Sequence, residues 1–164
     1  MDRMTPQQRH RCMASIRGKD TGPEMAVRRM VHAMGFRYRL HVRALPGCPD
    51  IVLPRHRKII FVHGCFWHAH GCAASRRTPA TNKKFWKDKF TRNKERDAKS
   101  LQALWRGGWQ VLVIWECETK EAAQLRTRIA GFLAPAARAA NYPLNEQHAL
   151  YGMVAEASEF EIRN

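Results

Sequence analysis

The 164-residue chain is short of acidic residues: 14 Asp and Glu stand against 29 Lys and Arg, a formal net charge of +15. It lacks long apolar runs, and no stretch approaches the ~20 residues of a membrane-spanning helix. The opening segment MDRMTPQQRHRCM has no apolar core of the signal-peptide kind. A secreted or membrane-spanning protein is therefore not expected. Repeats, low-complexity tracts and an inter-domain linker are also missing, so one domain over residues 1–164 is the expectation. Cysteine is sparse and odd in number, five residues. With no leader segment, that argues against a disulfide framework.

What is present is positive charge, unevenly placed. Residues 1–99 hold 23 of the Lys and Arg and 7 of the acids, whereas residues 100–164 hold 6 and 7. An excess this one-sided costs self-repulsion unless a polyanion offsets it. The basic part is thus read as a nucleic-acid-binding surface in preference to a merely solvated one.

The pattern of apolar residues predicts an α/β chain. A short basic helix is expected over residues 6–16. Thr21-Gly-Pro-Glu24 has the form of a capping box, opening a helix that runs to Met34 and stops at Gly35. Phe36–Leu40 alternates as a half-exposed strand does. Asp50–Leu53 and Lys58–Val62 form a hairpin about Pro54-Arg-His-Arg. Residues 63–80 read as an irregular, metal-tied loop. A long helix follows from Thr81 to Trp105, ended by Gly107-Gly108. Trp109–Trp115 is an apolar strand expected at the sheet's centre, and residues 119–133 form a closing helix. The tail from about residue 135 is weakly patterned. The result is a mixed sheet with helices on its faces.

Three groups of residues carry chemistry. Cys65, His70 and Cys72 lie within eight residues, and Cys117 follows the apolar strand. Three Cys and one His make a closed tetrahedral zinc set, although spacing alone leaves open which of His63, His68 and His70 serves the metal. Cys12 and Cys48 remain as free thiols. The remaining histidines, beside a metal-tied turn that follows a strand, suit acid–base work. Asp50 opens an apolar strand, either as a turn cap or as a Mg²⁺ ligand. Together with a His at the neighbouring strand's end it suits metal-assisted phosphodiester cleavage. On the long helix, Asn93 and Asp97 share the apolar face of Trp86, Phe90, Leu101 and Leu104. They are either internal caps or the orienting partner of a catalytic His. Phe66 and Trp67 are ordinary core residues or, on a Gly-flanked loop of a basic protein, wedges for a base stack.

The succession CMASIRGKDTGPE, PGCPD, IIFVHGCFWHAHGC, FWKDKFTRNKERD and GWQVLVIWEC resembles the very short patch repair (Vsr) endonucleases, over about residues 9–118. The resemblance implies a restriction-endonuclease-like fold and a nick 5′ to the T of a T:G mismatch in bacterial DNA. It implies catalytic Mg²⁺ on Asp50 and the main-chain carbonyl of Val62. His63, linked to Asp97, and His68 would assist water attack and phosphate chemistry. Structural zinc would sit on Cys65, His70, Cys72 and Cys117. Phe66, Trp67 and Trp86 would intercalate, met from the opposite groove by Met13 and Ile16 on an N-terminal helix within residues 1–20. Glu24 would support the active site; Asn93, from its place on the helix face, is a further candidate for that support. A cytoplasmic, nucleoid-associated monomer that cooperates with mismatch-repair proteins is the corresponding expectation. Val62 stands where the family often has Thr, Ala69 and Gly71 replace a His-rich run, and Cys48 replaces a polar or basic residue. The competing readings are a zinc-stabilised, non-catalytic DNA-binding module and a restriction-type endonuclease on paired DNA.

Overall fold

A computed structural model describes residues 5–15, 18–73, 75 and 82–135. The order of elements is α1 (Pro6–Ser15), α2 (Gly22–Ala33), β1 (Arg39–Leu40), β2 (Ile51–Leu53), β3 (Lys58–His63), α3 (Lys83–Arg106), β4 (Gln110–Trp115) and α4 (Ala122–Leu133). Short 3-10 turns precede β3 and α4. The sheet runs β1-β2-β3-β4, antiparallel except for the parallel β3–β4 pair joined through α3. The predicted mixed sheet flanked by helices is what forms.

Period-two alternation divides the strands between two cores. Ile51, Leu53, Ile60, Leu112 and Ile114 pack with Val27 and Val31 of α2 and Leu125, Ile129 and Phe132 of α4. Val52, Ile59, Phe61, Val111, Val113 and Trp115 face the other way, onto Leu101 and Leu104 of α3. The sheet is thus covered on both faces, and its inner strands read as continuous apolar runs.

Thr21 caps α2, its side-chain oxygen accepting from the Glu24 amide at 3.4 Å. The return leg of the box is displaced by one residue, because Glu24 accepts from the Asp20 amide at 2.8 Å. Gly35 ends the helix at φ +86°, a conformation that costs glycine little.

Two expectations are corrected. The strand expected over Phe36–Leu40 pairs only at Arg39–Leu40. Phe36 instead packs edge-on against His56, and the Tyr38 hydroxyl donates to the Arg28 carbonyl at 3.2 Å. The apolar strand expected at the centre, β4, lies at the end of the described sheet. Its outer edge is covered: Arg128 donates to the Val113 carbonyl at 3.1 Å, and Glu118 accepts from the Trp115 amide at 2.6 Å. An end strand capped this way and covered on both faces is as apolar as a central one.

Candidate active site and metal centre

The carboxyl ends of β3 and β4 form the floor of the site. Asp50 immediately precedes β2 and its Oδ2 accepts from the Val62 amide at 2.7 Å. The β2–β3 register, continued, would set Val62 opposite Pro49. Proline has no N–H to give, so it cannot donate to the Val62 carbonyl, which lies on the same side of the strand as the amide bound to Asp50. A carboxylate and a main-chain carbonyl are thus adjacent, the oxygen donors a hard divalent cation takes. Burial raises the Asp50 pKa to about 6, and nearby Glu24 adds to the rise, against the lowering effect of the Val62 amide.

Across a cleft of about 910 Å3 stand His63, His68 and Asp97. Asp97 comes from α3 and is buried there. His68 Nδ1 lies 2.5 Å from Asp97 Oδ2, and the His63 and His68 rings stack at 3.9 Å and 6°. The carboxylate engages His68, not His63 as the sequence reading had it. His63 Nδ1 is buried without a hydrogen-bond partner among the described residues. Burial, together with repulsion from His68, pushes the His63 pKa down to about 3 and keeps its ring neutral. With Nδ1 held by Asp97, Nε2 is the His68 nitrogen left for chemistry. Asn93 does not reach the histidines; its amide donates to the Trp67 carbonyl at 2.8 Å and pins the loop to α3.

Behind the cleft, Cys65, His70, Cys72 and Cys117 bring their ligand atoms within 4.8 Å of one another. His70 Nδ1 is 3.7 Å from Cys65 Sγ and 3.5 Å from Cys117 Sγ. A tetrahedral ion with bonds of ~2.3 Å to sulfur and ~2.0 Å to nitrogen sets such atoms about 3.5–3.8 Å apart. No disulfide joins Cys48, Cys65, Cys72 and Cys117. Positive φ at Ala69 (+46°) and Gly71 (+89°) turns the loop so that His68 and His70, two residues apart, serve different clusters. Trp115 lies between them, stacked on His70 at 4.1 Å and edge-on to His63 at 5.5 Å.

The family model described as DNA mismatch endonuclease Vsr matches residues 1–74. A type II nicking enzyme of Xanthomonas oryzae pv. oryzae is 43% identical over 134 residues, covering 82% of this chain and 98% of that protein. A type II nicking enzyme of Neisseria meningitidis is 41% identical over 128 residues, covering 78% and 91%. The DNA mismatch endonuclease Vsr of Escherichia coli is 38% identical over 117 residues, covering 71% and 74%. The chain belongs to the Vsr family. A Vsr-family chain is a DNA endonuclease, and DNA is its partner. No helix among the described residues is long and apolar enough to cross a membrane.

The Vsr motifs do not announce everything at the site. Glu24 is buried, ion-paired with Arg28 and 3.1 Å from His41 Nε2. Arg28 also binds Asp20 at 2.7 Å, and His41 Nδ1 lies 3.9 Å from Asp50. Sequence reading singled out Glu24 but neither Arg28, one helical turn further along α2, nor His41, in the loop after β1. Asp20, His41 and Cys48 all take positive φ around the cleft, at +56°, +46° and +50°. Such strain in non-glycine residues concentrates at functional sites.

The predicted wedges assemble in part. Phe66 touches Trp67 at 5.0 Å and Trp86 at 5.3 Å, joined by Phe90. Lys89 lies over Trp67 and Trp86, a cation–π contact the sequence did not reveal. Helix α1 forms as expected, but the Met13 side chain and Ile16 lie outside the described residues.

Proposed function

We propose that this chain is a Mg²⁺-dependent, strand-specific endonuclease that nicks DNA 5′ to the T of a T:G mismatch, on a restriction-endonuclease-like core. The observation that carries the reading is the opposition, across one basic-rimmed cleft, of Asp50 and the His63–His68–Asp97 stack. Asp50 and the Val62 carbonyl are the groups to hold the ion. Bound there, Mg²⁺ would polarise the scissile phosphate and lower the pKa of attacking water. His68, its Nδ1 fixed by Asp97, takes a proton at Nε2 and returns it to the leaving oxygen. His63, neutral and stacked on His68, offers hydrogen bonding and excludes water from behind the pair. Glu24, tied to Arg28 and His41, positions Asp50. Phe66, Trp67 and Trp86, half-buried at the cleft's edge, test stacking beside a wobble pair, where unstacking is cheap, and Met13 and Ile16 enter from the opposite groove. Cys65, His70, Cys72 and Cys117 hold structural zinc; the four-ligand set leaves no open coordination position for substrate. The enzyme acts as a monomer at the nucleoid in the cytoplasm, alongside mismatch-repair proteins.

Competing readings are disfavoured by particular residues. A purely binding module has no use for a half-buried Asp50 at raised pKa across the cleft from a histidine–carboxylate pair. A cutter of fully paired sites has less use for an aromatic cluster on the cleft loop. The test is nicking of a T:G duplex in Mg²⁺ by wild type and Asp50→Ala. Loss of nicking in the variant, with DNA binding kept, is expected. Wild-type nicking by Asp50→Ala contradicts the metal assignment.

A further inference from the structure

Helix α3 carries more positive charge than the cleavage chemistry uses, and that charge is sorted by face. Beside the cleft, sharing Gly47, Arg96 and Ser100 with it, lies a second groove of about 450 Å3. Its α3 wall bears Arg92, Arg96 and Lys99, all exposed. The facing wall is the turn at Pro46–Gly47. That turn sits directly on the helix: a Cβ on Gly47, at φ +75°, would lie 3.0 Å from the Ser100 Cβ and 3.2 Å from Phe61.

With 3.6 residues per turn, Lys89, Arg92, Arg96 and Lys99 fall within about 80° of one another around α3. They make a stripe of about 15 Å at i, i+3, i+7 and i+10. The stripe starts where Lys89 covers Trp67 and Trp86, passes the Asp97–His68 pair, and ends in the groove. Lys87 and Lys94, also exposed, fall on the opposite flank. Glu95 borders the stripe on its outer side, where repulsion confines a phosphate to the cationic side.

We propose that Arg92, Arg96 and Lys99 seat successive backbone phosphates of one DNA strand beside the scissile position, and that Lys87 and Lys94 do not touch DNA. The inference rests on the DNA-cleaving reading of the cleft. Cations on an open groove wall suit phosphates, which fix register without reading sequence.

The test is binding to a fully paired duplex, without divalent ion, by fluorescence anisotropy from about 50 to 200 mM NaCl. Each phosphate contact adds about 0.9 to the slope of log K against log salt, so Arg92→Gln/Lys99→Gln should lower the slope by about 1.8. Lys87→Gln/Lys94→Gln removes the same charge and should change it by less than half as much. Equal drops in both double variants, or no drop in the first, overturn the proposal. All four positions are exposed on a helix that tolerates Gln, and thermal melts check that both variants fold. Because this assay needs neither mismatch nor Mg²⁺, its failure is distinct from failure of wild type to nick T:G duplexes, measured in parallel.

Discussion

Asp50 is held in a state that costs stability. Burial keeps its pKa near 6, above the ordinary value of 3.8, so the folded chain binds that proton more tightly than the unfolded one. The contribution is complete below the unfolded pKa and is lost as pH rises through about 6. At neutral pH the charged carboxylate therefore destabilises the metal-free protein, on the order of 2–3 kcal/mol. Asp50→Asn keeps an oxygen for the Val62 amide and removes the charge. It is expected to raise the melting temperature of metal-free protein at pH 7 while abolishing nicking; a variant that melts lower would refute the account of Asp50. Asp97→Asn would leave His68 without the carboxylate that holds its Nδ1, and nicking should fall by roughly 10²–10⁴ with duplex binding unchanged. Equal activity of Asp97→Asn and wild type, by single-turnover nicking, would remove the pair from the mechanism. At this scale the residue types were legible and their pairing was not. Asp97 was marked by being polar on an apolar helical face. Its bond to His68 instead of His63 depends on the turn between them, where the His68 amide donates to the Gly64 carbonyl at 3.3 Å, which no periodicity reports. Arg28 stands at i,i+4 from Glu24 on α2, a local spacing the sequence reading did not use, whereas His41 left no local signal because Glu24 and Asp50 reach it from other segments.

Among the elements, the loop after β3 depends most on something other than core packing. Its residues 64–70 are knit by turn hydrogen bonds such as His70 N to the Cys65 carbonyl at 3.1 Å. The cluster of Cys65, His70, Cys72 and Cys117 sets them against the turn after β4, where the Cys117 amide donates to Cys65 Sγ at 3.3 Å. Without an ion, burial pushes the Cys65 thiol up to about 12 and raises that of Cys117 too, so metal loading must expel protons. Zinc affinity of the metal-free protein is expected to weaken as pH falls, followed by competition with an indicator dye. Cys117→Ser should drop zinc from about one per chain to near none and expose residues 64–73 to protease. A variant that retained zinc would take Cys117 out of the set. Helix limits were readable from caps and glycines: Thr21 and Gly35 bound α2 as expected. The place of β4 was not, since cover on both faces and side-chain capping of its edge make an end strand look internal.

At the scale of the molecule, the surplus of 29 Lys and Arg over 14 acids has an address. The charged residues of the cleft, the aromatic cluster and the α3 stripe all belong to residues 1–99. The later residues described supply mainly β4, α4 and the Cys117 ligand. Charge announces a polyanion and says nothing of a mismatch; the proposed mismatch substrate rests on the aromatic cluster beside the histidine stack and on membership of the Vsr family. The most direct measurement is therefore nicking of three labelled duplexes that differ only in one central pair, T:G, T:A or C:G, in Mg²⁺, with the cut mapped on each strand. The account predicts one nick, 5′ to the T, on the T:G duplex and little on the others. Equal cutting of all three, or cutting of both strands, would contradict it.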